Sequence, residues 1–125
     1  GDTAQAGAIV SAAAETMEPG ILRAMAFSQL AMVRMYQNEH DSAVELLRKA
    51  LDDAVGNPAI TVTVLLRLSF ALNSSGELDD ARRHVRDAVK LAEELGIPGL
   101  TSAALSWSVH VNFQCGRGLD HAALD

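Results

Sequence analysis

"SSGELDDARRHVRDAVKLAEELGIP", Ser74 to Pro98, carries a whole helix together with its start and stop signals. Glycine at position 96 can take the left-handed conformation that ends a helix, and Pro98 cannot continue one. The chain repeats the phrase earlier, in "QNEHDSAVELLRKALDDAVGNP" from Gln37 to Pro58, and begins it again in "CGRGLDHAALD" from Cys115 to Asp125. Aligning Asp41-Ser42-Ala43 with Asp79-Asp80-Ala81 and with Asp120-His121-Ala122 gives offsets of 38 and 41 residues. The same offsets carry Leu30 onto Leu68 and Val109, and the first carries Leu47 onto Val85 and Ala50 onto Ala88. A fixed-period echo of this length marks stacked supersecondary units, each a helix, a tight turn, a second helix and a stop.

The repeat sets the map of the chain. A leading helix near Ala4 to Met17 is broken at Pro19-Gly20, so that residues 1–19 precede the array. Repeat 1 (21–58) pairs helices at about Ile21–Gln37 and Ser42–Val55, and repeat 2 (59–98) pairs Ala59–Asn73 with Asp80–Leu95. A truncated repeat 3 (99–125) opens with a helix at about Leu100–Gln114, for about six to seven helices in one all-α domain. "AITVTVLL" (59–66) has the β-branched content of a strand, but the repeat aligns it with first helices around Phe27 and Ser106 that are not strand-like, and we assign it to a helix. On the second helix, Leu78, Ala81, Val85, Ala88, Val89 and Ala92 form an inward stripe. Asp79 with Arg83 and Lys90 with Glu94 are spaced to pair on the exposed face.

Composition agrees with an all-α class: 49% of the 125 residues are hydrophobic but only 4% aromatic, and alanine and leucine favour helix. A net charge of -6 and a pI near 5.1 are the opposite of a phosphate-binding face. Cys115 is the single cysteine, and neither a signal peptide nor an apolar run of about 18 residues is present. These features point to a cytoplasmic setting, away from membrane and nucleic acid. A start at Gly1-Asp2 without methionine and an end on what reads as a helix just begun lead us to expect a piece of a longer chain.

The small and large positions of the repeat resemble those of a tetratricopeptide repeat. They are Phe27, Leu30, Ala31, Ala43, Leu47 and Ala50 in the first unit; Leu65, Leu68, Ser69, Leu72, Ala81, Val85 and Ala88 in the second; and Val109, Phe113 and Ala122 in the third. Arg34 and His110 depart from the pattern, which asks for a hydrophobic and a small residue there, and the period exceeds the usual 34 or so residues. Longer units phrased like "LDDARRHVRDAVKLAEELGIPG" are similar to the helical-repeat region of large LuxR-type (MalT-like) bacterial ATPase regulators. The resemblance implies an antiparallel helix-hairpin α-solenoid, non-enzymatic, lying between a nucleotide-binding switch domain and a C-terminal helix-turn-helix and receiving an inducer or protein partner.

No chemistry-bearing motif competes with that reading. His40, His84, His110 and His121 are scattered without Glu-x-x-His or His-Glu-x-x-His spacing, so no metal is implied. His84 and His121 read as solvated helix faces, and His110 as a misfit that finds a hydrogen bond inside. "CGRGLD" lacks the phosphate-loop pattern and follows a helix; it reads as a turn. Cys115 reads as buried and inert, and no cofactor is implied. The Arg82, Arg83, Arg86 and Lys90 group could meet an acidic partner, but interleaved with acids it reads as a solvated face.

In the repeat family the first helices line a concave surface. The alignment carries that surface onto Met25, Ser28, Met32, Met35 and Tyr36; onto Thr63, Leu66, Phe70, Asn73 and Ser74; and onto Ala104, Trp107, Val111, Gln114 and Cys115. Three of the four methionines, the only tryptophan and the only tyrosine fall there, residue types that adaptable apolar binding surfaces use. We expect a partner or ligand groove at Met32, Met35, Tyr36, Leu66, Phe70, Trp107 and Val111. Its occupant would be a protein partner or a small apolar effector, or the side chains would be buried by other domains of the parent chain. The function expected is a non-enzymatic interaction or effector-sensing segment of a bacterial transcriptional regulator. The alternative is a structural spacer or a self-association module, hence a homodimer.

Overall fold

The computed structural model describes residues 16–109. Within them lie four complete helices, α1 (Ile21–Tyr36), α2 (His40–Asp53), α3 (Pro58–Ser74) and α4 (Leu78–Leu95), followed by a helical stretch, α5, over 98–109. The leading helix and the closing helix of the six or seven expected fall mostly or wholly outside the described residues. α1 packs against α2 and α3 against α4 as antiparallel hairpins, α2 packs on α3 between them, and α1 reaches α3 directly.

The two hairpin turns are copies at the offset read from sequence. Asn38 and Gly76 take positive φ of 59° and 86°, the left-handed region that asparagine and glycine tolerate. The next amide of each turn, Glu39 or Glu77, donates to Arg34 or Leu72 at 2.9 Å. Between hairpins the proline has a second role. The Asn57 side chain caps α3 by accepting from the Ile60 amide at 3.1 Å, and Pro58 occupies the first turn, where its missing N–H costs nothing. Gly96 ends α4 at φ 66°, as its sequence context predicts.

The strand-like stretch is helical. Val62, Val64 and Leu65 are buried, and the Thr61 and Thr63 hydroxyls bond back to the carbonyls of Asn57 (2.9 Å) and Ala59 (3.4 Å). Burial outweighs the few tenths of a kcal/mol by which β-branching disfavours a helix, and the back-bonds satisfy the two hydroxyls within it.

The core runs along the repeat positions. Ala24, Ala31, Ala43, Ala50, Ala81, Ala88 and Ala92 are wholly buried and set the close approach of the helices, while Leu30, Leu47, Leu68 and Leu72 fill the space between them. Each such leucine contributes roughly 1.5–3 kcal/mol by leaving water. Arg34, which breaks the family pattern, is satisfied by Gln37 at 3.0 Å and Glu39 at 3.4 Å.

Four expectations need correction. Val109, the counterpart of Leu68, is 69% exposed, whereas Leu68, packed in one cluster with Ala81 and Val85 of α4, is 0%. The expected pairs Asp79–Arg83 and Lys90–Glu94 do not form; Arg83 instead meets Asp80 at 3.2 Å, one residue closer along the helix. His84 is not a solvated side chain, since both ring nitrogens are buried without a partner. Ala104, assigned to the groove, is fully buried against Val62, Leu65, Ala88 and Ala92.

Candidate interaction face on the first helices

α1, α3 and α5 present one face, and the residues on it come in i, i+4 pairs that a helix places one above the other: Met32 with Tyr36, Leu66 with Phe70, Ala103 with Trp107. That phase explains the exchange of Ala104 for Ala103, because Trp107 shares its stripe with the residue four before it.

Two depressions lie on this face. One, of about 270 Å³, is lined by Met32, Leu66, Arg67, Phe70, Ala103 and Trp107. The other, of about 480 Å³, is lined by Met32, Met35, Tyr36, Asn38, His40, Phe70 and Ser74. Met32 and Phe70 border both. Six of the seven residues expected at the groove therefore stand together, and Val111 lies outside the described residues, with Gln114 and Cys115. Tyr36 is 91% exposed and Phe70 39%, an unusual degree of exposure for aromatic side chains in a folded chain.

Trp107 is held in place by hydrogen bonding. Its indole Nε1 donates to the Ser69 hydroxyl, which in turn donates to the Leu66 carbonyl at 3.0 Å. Ser69 is a small position of the repeat and fully buried, so the side chain that lets α5 approach α3 also positions the tryptophan. The Trp107 and Phe70 rings lie 5.3 Å apart at a tilt of 48°, within the range of favourable aromatic pairs. At the other end the His40 Nδ1 sits 3.4 Å from the Met35 sulfur.

Three features of the sequence reading of this face change. Ser28 is buried and bonded, accepting from Arg67 Nη1 at 2.7 Å. With Met25 and Thr63 it lines a smaller third depression of about 110 Å³, shared with Arg67. Arg67 itself, and Asn38 and His40, were not expected on the face; nothing in "LLRLSF" distinguishes a charged residue that lines a pocket from one that points to water.

Away from this face, Arg23 grips Asp53 through two hydrogen bonds of 2.6 and 2.9 Å, and the carboxylate side chain is only 5% exposed. That hydrogen bond is the largest influence raising the Arg23 pKa. It also answers why an acidic residue ends α2, where the helix dipole disfavours it. His84, on α4, has its pKa lowered by burial first and then by the charges of Arg83 and Arg48, with Asp87 and Asp80 opposing. Among the described residues no group of three His, Cys, Asp or Glu is placed to hold a metal, and no helix is long and apolar enough to cross a membrane.

The profile of the tetratricopeptide repeat matches residues 22–94, which is more than half the chain and spans α1 to α4. The chain belongs to the tetratricopeptide repeat family. No curated protein and no solved structure is a match. Tetratricopeptide repeats generally mediate protein–protein interaction, by a fold that is typically non-catalytic. The matched repeats include Met32, Met35, Tyr36, Leu66 and Phe70, while Trp107 stands beyond them on α5.

Proposed function

We propose that this tetratricopeptide chain is a non-enzymatic docking module that binds a segment of another protein on the face of α1, α3 and α5, through Met32, Met35, Tyr36, Leu66, Phe70 and Trp107. The observation that carries the reading is the pair of adjoining depressions sharing Met32 and Phe70, which suits two neighbouring side chains of one occupant. The smaller of the two is the one whose size favours a peptide side chain over a small effector. The apolar depression, about 270 Å³, falls below the roughly 300–1,000 Å³ of small-molecule sites, yet holds one large side chain.

The setting we propose is a cytoplasmic regulator of the LuxR-type class, on the resemblance of the 78–99 phrasing. There, occupancy would bias an attached domain through unequal affinity for two arrangements of the array. Self-association is the second reading, and its support is the exposure of Leu22 and Val55. Light scattering over a dilution series separates the two, since a concentration-dependent dimer supports self-association.

The test is selection of a random displayed peptide library on the full chain, followed by titration of the enriched synthetic peptides. Trp107, the only tryptophan, reports occupancy by its emission. Phe70→Ala is expected to weaken binding about tenfold or more, the usual loss at a buried aromatic anchor, with the circular dichroism unchanged. Peptides that bind Phe70→Ala as tightly as the parent would place the site elsewhere.

A further inference from the structure

We propose a second role for one end of this face, independent of partner docking: Met35 and His40, with Met32 beside them, form a site for a soft monovalent metal cation of the Cu(I) or Ag(I) class. The two donors stand on either side of the turn between α1 and α2, with the His40 Nδ1 3.4 Å from the Met35 sulfur. Asn38 at φ 59° reverses the chain there, and the Glu39 amide closes the turn onto the Arg34 carbonyl at 2.9 Å. Backbone geometry therefore holds the pair together before any ligand arrives. Met32 lies one turn before Met35 on α1 and lines the same depression of about 480 Å³ as both members of the pair. All three side chains are half-buried, and that depression gives access to them.

The separation is that of two ligands on one ion. A first-row metal ion about 2.0 Å from an imidazole nitrogen and about 2.3 Å from sulfur, at a near-tetrahedral angle, sets the two donors about 3.5 Å apart. With its proton on Nδ1 the His40 ring donates a hydrogen bond to the thioether, a weak acceptor. With the proton on Nε2, a nitrogen and a sulfur lone pair meet, and a cation between them removes the repulsion. The donor set then selects the cation. Imidazole and thioether are both neutral, and thioether sulfur favours Cu(I) over harder ions. Among the described residues lining the depression none is Asp, Glu, Lys or Arg. No carboxylate is there to offset the second charge of Ca²⁺ or Mg²⁺, and no fixed cation repels a single charge. The spacings that signal zinc and di-iron sites are written in His, Cys and carboxylates, and they pass over this pair.

Titration of the full chain with Ag(I) in chloride-free buffer tests the assignment, in a Cys115→Ser background because the single cysteine would compete as a thiolate. Followed by nuclear magnetic resonance of isotope-labelled methionine methyls, Met32 and Met35 are expected to shift as a stoichiometric complex forms, while Met17 and Met25 stay in place. Cu(I) under anaerobic conditions, measured against a chromophoric chelator, is expected to bind the same residues. Met35→Leu and His40→Gln, which remove a donor at similar side-chain length, should each weaken binding about tenfold or more, since loss of a residue outside the ligand shell already costs that much. The circular dichroism should not change in either. Methyl signals of Met32 and Met35 that do not move, or affinity that either substitution leaves undiminished, overturn the site. The docking face is tested separately, with peptides and without metal.

Discussion

Replacing Ser69 by alanine removes one oxygen atom from the core and tests how α5 is joined to the repeats. In the parent, the Ser69 hydroxyl accepts from Trp107 Nε1 and donates to the Leu66 carbonyl at 3.0 Å, at a position with no exposure to water. Alanine fits the site, being the residue found at the equivalent position 31, so no strain is introduced and no side chain is displaced. The loss is the acceptor for the indole: a net hydrogen bond contributes about 0.5–1.5 kcal/mol, and a donor left buried costs about 1–3 kcal/mol. Because Trp107 is only partly buried, water can recover some of this, and we expect about 1 kcal/mol. The assay is a double-mutant cycle in urea, followed by far-ultraviolet circular dichroism, with Trp107→Phe as the second change. Phenylalanine keeps an aromatic ring near Phe70 and lacks the donor, so Ser69→Ala in that background should cost close to nothing, leaving a coupling of about 1 kcal/mol. Additive losses would show that the hydroxyl does not hold the tryptophan, and that the position is small for packing alone.

Two further outcomes test the helix end and the buried histidine. Gly96→Ala should destabilise by about 1 kcal/mol, since alanine at φ 66° is strained although nothing stands within 4 Å of the added carbon; Gly96→Asn should recover part of the loss, and a urea midpoint unchanged by alanine would refute the strain argument. His84, whose nitrogens are buried without partners and whose pKa is lowered below 6.5 by burial and by Arg83 and Arg48 against Asp87 and Asp80, binds its proton more weakly folded than unfolded. Stability is therefore full above pH 6.5 and is lost as pH falls toward the folded pKa, a slope that His84→Gln should flatten; an equal slope in the variant would assign the acid sensitivity to other groups.

The sequence reached the fold through quantities that are local and repeated. The offset of 38 residues brought Ala43 onto Ala81 and Leu30 onto Leu68, and all four are buried. The alternation of small and large side chains specifies which helices can approach, whatever surrounds the unit. It also overruled the strand propensity of "AITVTVLL", because a helix of β-branched residues loses little once Val62 and Val64 are buried. The face was legible for the same reason: its positions follow the core by a fixed rotation of the helix, which brought Met32, Leu66, Phe70 and Trp107 together.

What escaped that reading depends on side chains that meet across the chain. Asp53 is acceptable at the end of α2 because Arg23 stands 30 residues away in sequence and 2.6 Å away in space. Arg67 is bonded at 2.7 Å to Ser28, which stands 39 residues away on another helix. The change from Ala104 to Ala103 came from the rotation of α5, which buries Ala104 with Ala88 and Ala92 and brings Ala103 to the face beside Trp107. The sequence by itself determined the repeat, its helices and the stripe they bury, since periodic packing is encoded in each unit. Only the tertiary structure decided which charges are paired and which histidine has its ring nitrogens buried, because desolvation and hydrogen bonding depend on neighbours that spacing along the chain does not name.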